Sequence, residues 1–207
     1  MSVPAAVTPS GLAESAEMLR RLAASAHVAV RGLEVRAKSP RVARVERRRD
    51  GFWIVFQPGL LVAPEPVRSF VLAHEVAHIA LGHRVIIRRL IFLGIAAILL
   101  MAIGFGVVLM FQIVKDANPW LLTIESVIWV AATLSPRAIL LAVARRYEYQ
   151  ADHMAVTLLG SSDPGVAFFD WLAAFGRPVL MPLPLRLWGS THPSNVERRR
   201  ALLGGAR

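Results

Sequence analysis

Between residues 11 and 24 the apolar side chains return every three or four positions. Leu12, Met18, Leu19 and Leu22 fall roughly on one side, with charges elsewhere. That period predicts a helix with one face against a core. The stretch "RVARVERRRDGFWIVFQPG" alternates instead, and Asp50-Gly51 suits a tight hairpin turn, so two strands are expected there. The second strand, residues 52–57, ends at Pro58-Gly59. Pro64 and Pro66 mark a loop before a helix that runs from about Val67 to beyond His83. Further helices are expected at residues 165–175 and from about Asn195, where Ser194 and Glu197 have capping-box spacing. The Pro-rich apolar stretch "RPVLMPLPLRLWGS" reads as a loop.

One pattern has no period at all. Residues 90–114 are 25 positions without a charge, enough for a membrane-spanning helix. After "KDANP" a second apolar run follows. It carries Glu125 and stops at Ser135-Pro136-Arg137, and residues 117–137 reach the length of a span. A hairpin of two spans is expected. Arg84, Arg88 and Arg89 precede it and Arg137, Arg145 and Arg146 follow it, against Lys115 alone in the turn. Basic flanks stay cytoplasmic, so both termini are expected on that side. The hairpin, residues 85–137, divides the chain into an N-terminal part, 1–84, and a C-terminal part, 138–207.

Composition agrees: 55% of the 207 residues are hydrophobic, high for a soluble domain. No cysteine is present, which excludes disulfides and thiolate ligands and leaves His and carboxylate for any metal. The first ten residues have neither a basic start nor an apolar run, so no secretory signal is expected. The net charge is +10, and residues 31–49 hold eight Lys or Arg against two Glu. The simplest reading is a solvated arginine-rich β surface. Attraction to anionic lipid headgroups is a second, and nucleic-acid binding a third that the membrane hairpin disfavours.

The chemistry lies in "VLAHEVAHIALGH". His74-Glu75-Val76-Ala77-His78 is a HExxH pattern within predicted helix, and residues four apart share a face, so both imidazoles can reach one ion. Glu75, beside the first His, can take a proton from water there. Alternatively these are two buried histidines of an apolar helix. A zinc peptidase needs a third protein ligand and an open position. His83 is close, but it lies five residues after His78, about 140° round an ideal helix, and reaching the ion would require unwinding just after the motif. Glu148 and Asp152 in "RRYEYQADHMA" are the better pair. Four apart, they share a face; Glu148 can bind the ion and Asp152 can hold the distal nitrogen of His74. By itself the pair would read as a surface helix with Arg145 and Arg146 as ion-pair partners. The hairpin changes that weighing. His78 precedes the first span by 12 residues and Glu148 follows Arg137 by 11. At about 1.5 Å per residue both stand about 17 Å from the membrane, given a break or kink near Pro136.

The order HExxH, two spans, "EYQAD" and a late "THPSNVERR" resembles the HtpX-type membrane zinc peptidases, relatives of the CAAX prenyl proteases within the gluzincins. The resemblance runs from about Phe52 to Leu203. It implies a mainly α fold with a small β-sheet, a gluzincin-type zinc peptidase domain interrupted by a transmembrane hairpin. It implies one Zn2+ per chain held by His74, His78 and Glu148, with Glu75 as catalytic base. It also brings the late His-Pro element, His192, to the active site, with Arg198 and Asp152 supporting it. Residues 52–57 resemble the edge strand on which such enzymes lay an extended substrate, although a core strand fits the pattern equally. The expected activity is endoproteolysis of membrane or misfolded proteins at the cytoplasmic face of a bacterial inner membrane. The N-terminal pair of spans of HtpX has no counterpart, so a minimal member is implied. The other reading is a non-catalytic zinc-binding membrane scaffold or signalling protein, which an intact Glu75 disfavours.

Overall fold

The structure, a computed structural model, describes residues 9–37, 42–114, 119–175 and 192–204. In chain order its elements are α1 (Pro9–Ser25), β1 (Val30–Val35), β2 (Ala43–Arg48), β3 (Gly51–Phe56) and α2 (Pro58–Leu61). Then come α3 (Glu65–Ala80), α4 (His83–Val114), α5 (Pro119–Leu159), α6 (Asp163–Phe175) and α7 (Asn195–Gly204). The chain is mainly helical with one small sheet, as the pattern and the resemblance lead one to expect. The proline-rich stretch 177–190 lies outside the described residues.

The sheet corrects one expectation. Its order is β1-β3-β2, with β1 parallel and β2 antiparallel to β3. The strand expected at the edge is therefore central, and both of its hydrogen-bonding sides are taken. Ile54, Val55 and Phe56 are almost wholly buried, as a continuous apolar run in a covered strand should be. β1 is a strand that the sequence pattern did not single out. Its partner is reached only across β2, and its own run is interrupted by Gly32, over which the Trp53 ring lies.

By contacts the described residues form two units. The first takes in residues up to His83, residues 146–175 and residues 193–204; the second, residues 84–145 and His192. In the first, α1, the sheet and α2 pack with α3, and α6 packs on α3 and α7. Its core joins Leu19 and Leu22 of α1, Ile54 and Phe56 of β3, and Phe70, Leu72 and Val76 of α3 to Phe168 and Phe169 of α6. Phe70 is fully buried, and its truncation to Ala would cost about 3–5 kcal/mol. Gly165 makes the α6 contact possible. A Cβ there would come within 2.5 Å of Leu202 and 2.7 Å of Phe70.

Two helices are long and apolar enough to cross a membrane, over Val85–Met110 and Thr123–Leu159. In the second unit they run antiparallel, with Gly94 against Pro136 and Phe105 against Trp129. No break occurs at Pro136: α5 is continuous through it. The proline has no N–H for the Ala132 carbonyl one turn back, and the Ser135 hydroxyl donates to that carbonyl instead at 3.1 Å.

A second correction falls directly after the HExxH motif. The helix expected to pass His83 stops at Ala80, and a new one begins at His83. Gly82 turns the chain with φ of +66°, a left-handed conformation that costs glycine little. The Leu81 and Gly82 amides donate to Ala77 and Ile79, closing the old helix.

Candidate metal centre

α3 begins at Pro64-Glu65-Pro66, where a proline costs no helical hydrogen bond. One face of the helix is sealed by Ala73, Val76 and Ala77, all fully buried, which leaves His74 and His78 together on another. Their Nε2 atoms lie 3.1 Å apart. From α5, Glu148 brings one carboxylate oxygen to 3.6 Å from His74 Nε2 and the other to 3.6 Å from His78 Nε2.

These three groups form a cluster that could hold a metal ion, each offering a ligand atom within 4.8 Å of the others. Ligands on a tetrahedral zinc at about 2.0–2.1 Å stand about 3.4 Å from one another, so separations of 3.1–3.6 Å suit one ion between them. The donor types, two imidazoles and a carboxylate, suit zinc as well. His74 and His78 are each half-buried.

Behind the cluster stands a buried charged frame. His74 Nδ1 donates to Asp152 Oδ1 at 2.9 Å, the contact expected of the aspartate one turn after Glu148. Asp152 is only 2% exposed and also accepts two bonds from Arg198, Nε at 2.7 Å and Nη2 at 2.6 Å. Arg198 Nη1 reaches Glu148 at 3.1 Å, and its guanidinium lies over Phe169 at 5.1 Å. The capping box that fixes the start of α7 is formed: Ser194 Oγ accepts from the Glu197 amide at 3.2 Å, and Glu197 accepts from the Ser194 amide at 2.8 Å. Arg198 follows directly in the first turn.

The electrostatics follow from burial and these partners. Burial opposes a charge on His74, but its hydrogen bonds to Asp152 and Glu148 outweigh that and raise its pKa to about 9. Burial, then the charge on His74, push His78 down to about 3. Asp152 is also opposed by burial, yet the Arg198 and His74 hydrogen bonds hold its pKa below the usual carboxylate range. The pocket thus favours one positive charge on the His74 side and rejects a second on His78.

Glu75 is 8% exposed, and its charge is felt by Arg198. His192 is half-buried and belongs to the second unit. His153 is exposed on α5, away from the cluster. His83 does not face away as ideal helix geometry implied. The Gly82 turn brings its Nδ1 to 2.9 Å from His78 Nδ1, on the side opposite the cluster, so it touches a histidine of the motif without joining the three ligand atoms. Glycine two residues after the last helical position was the available signal.

The sequence profile described as Peptidase family M48 matches residues 16–205. No curated protein matches the chain significantly. Among solved structures, the fold is similar to that in the crystal structure of Ste24p from S. mikatae, with a TM-score of 0.61 at 20% sequence identity. The match covers 91% of this chain and 49% of that one, so the chain spans about half the length of this relative.

Proposed function

The chain belongs to peptidase family M48, and from that premise we propose that it is a membrane-embedded zinc endopeptidase acting on membrane or misfolded proteins at the cytoplasmic face. The observation that carries the reading is the convergence of His74, His78 and Glu148, from helices 70 residues apart in sequence, on one ion-sized space. Zinc bound there supplies Lewis acidity to the scissile carbonyl and to the attacking water. Glu75, which is outside the ligand set, accepts the proton of that water and returns it to the leaving amine. Asp152, itself locked by Arg198, keeps the His74 ring turned so that Nε2 faces the ion. His192 is assigned to the developing oxyanion as a second electrophile.

An extended substrate needs a free sheet edge, and β3 cannot give one. β2 packs against α3 and pairs only with β3 among the described residues, so its outer edge takes that role. Three arginines in and beside this sheet are already paired, which weighs against nucleic acid. Arg36, Arg44 and Arg48 are already bound to Glu34 and Glu46. Residues 85–137 are the membrane hairpin in this reading, between the two parts of the peptidase domain at 1–84 and 138–207. The basic flanks set the cytoplasmic orientation: a reporter fused at Arg207 should stay inside and one inserted at Asp116 should be exported.

The test is cleavage of an unfolded membrane protein by the purified full chain, wild type beside Glu75→Gln, with zinc measured in both. The variant should keep one zinc per chain and lose cleavage. Turnover near wild type would remove Glu75 from the chemistry, and loss of zinc would make it a ligand.

A further inference from the structure

A metal-bound imidazole that offers Nε2 carries its proton on Nδ1, and that N–H needs an acceptor which also fixes the ring. The two histidines of the motif meet this need differently. His74 Nδ1 has the Asp152 carboxylate. His78 Nδ1 has His83 Nδ1 at 2.9 Å.

Everything around His83 serves to hold its ring there. It is 2% exposed, although it opens a helix rather than lying within one. Its ring is stacked on Tyr147, with centroids 4.2 Å apart and planes within 6°. It also hydrogen-bonds the Gln150 side chain. Tyr147 and Gln150 flank Glu148 on α5, so the group that meets His78 is clamped by the turn that supplies the carboxylate. Its approach depends on the left-handed Gly82.

Resting on the zinc site proposed above, we propose that His83 is the positioning residue of His78. Its Nδ1 accepts the His78 Nδ1–H, its own Nε2–H is directed to Gln150, and His78 is thereby held with Nε2 toward the ion. His83 binds no metal itself. The alignment of His78 with Glu148 is set by one stacked and hydrogen-bonded ring between α3 and α5.

Two variants of the full chain separate acceptor from ring. His83→Phe keeps the flat ring on Tyr147 and loses the acceptor, while His83→Asn loses the stack and keeps an acceptor near the Nδ1 position. The readout is Co2+ affinity by chelator competition and the Co2+ visible spectrum. His83→Phe should weaken Co2+ about 10–100-fold with the stoichiometry and spectral shape retained, and His83→Asn should recover most of that loss. Gly82 offers a route that leaves His83 intact. A Cβ at Gly82 meets no atom within 4 Å, but β-branched Val is strained at this φ; Gly82→Val should loosen Co2+, whereas Gly82→Asn should not. Wild-type affinity in both His83→Phe and Gly82→Val overturns the inference, and so does a changed spectrum with lost stoichiometry in His83→Phe, which would make His83 a ligand. Glu148→Ala run alongside distinguishes the failures. If it keeps its Co2+, the zinc site itself is misassigned; if it loses Co2+ while His83→Phe is unchanged, only the role of His83 falls.

Discussion

Two parts of this molecule gather arginines around carboxylates at similar distances, and they do different things. On the sheet, Glu46 accepts from Arg44 at 2.5 Å and from Arg36 and Arg48 at 3.0 Å, and Arg48 also reaches Glu34. At the candidate centre, Asp152 accepts from Arg198 at 2.6 and 2.7 Å and from His74 at 2.9 Å. The first network is half-exposed, so water competes for its members and salt screens much of what remains. The second is buried, where an unmatched member would keep its charge without hydration. Contact distance therefore does not rank these networks; burial does. On the sheet Arg36, Arg44 and Arg48 share two glutamates on a surface that stays basic, and the buried frame makes a fixed orientation for His74.

Substitution should separate the two by magnitude. Arg198→Leu leaves Asp152 and Glu148 buried without their cation and should cost about 3–5 kcal/mol of stability, read as a shift in denaturant midpoint. A shift no larger than that of a sheet variant would erase the distinction. Next comes Asp152→Asn, which keeps the shape and weakens the bond to His74. Zinc affinity should fall about 10–100-fold in a chelator titration, and an unchanged affinity would mean that the His74 ring is held by something else.

The smallest effect is expected on the sheet, where Glu46→Gln should cost no more than about 1 kcal/mol, less in high salt. This network also has its own pH signature. Hydrogen bonds from Arg48 and then Arg44 lower the Glu46 pKa from 4.5 to about 2. Because the folded value lies below the unfolded one, the contribution is present above about pH 4.5 and is lost as pH falls through about 2. The difference in unfolding midpoint between wild type and Glu46→Gln should shrink over that window. A constant difference would mean that the arginines add nothing through this carboxylate.

The parts of the site legible in the sequence are those written in local periods. His74 and His78, and Glu148 and Asp152, are each four apart on a helix, and Ser194 and Glu197 have the spacing of a cap; each local spacing recurs in the structure. What was not legible depends on partners distant in the chain. β1 pairs directly with β3, skipping β2 in sequence, so β3 became central through a strand whose own pattern is weak. Likewise the helix end at Ala80 was hidden because helix-favouring sequence resumes at once after Gly82. That one left-handed residue turned His83 from a side chain pointing elsewhere into the partner of His78. At Pro136 the opposite happened: a nominal helix breaker was absorbed because a neighbouring serine satisfies the carbonyl it strands.

The central claim is that two helices meet to bind one ion through His74, His78 and Glu148. Metal content of purified, folded Glu148→Ala tests it most directly, measured as zinc per chain after dialysis against a weak chelator. The account predicts one zinc in the wild type and close to none in the variant. A full zinc complement in Glu148→Ala would contradict it and would leave the carboxylate as a neighbour of Arg198 and nothing more.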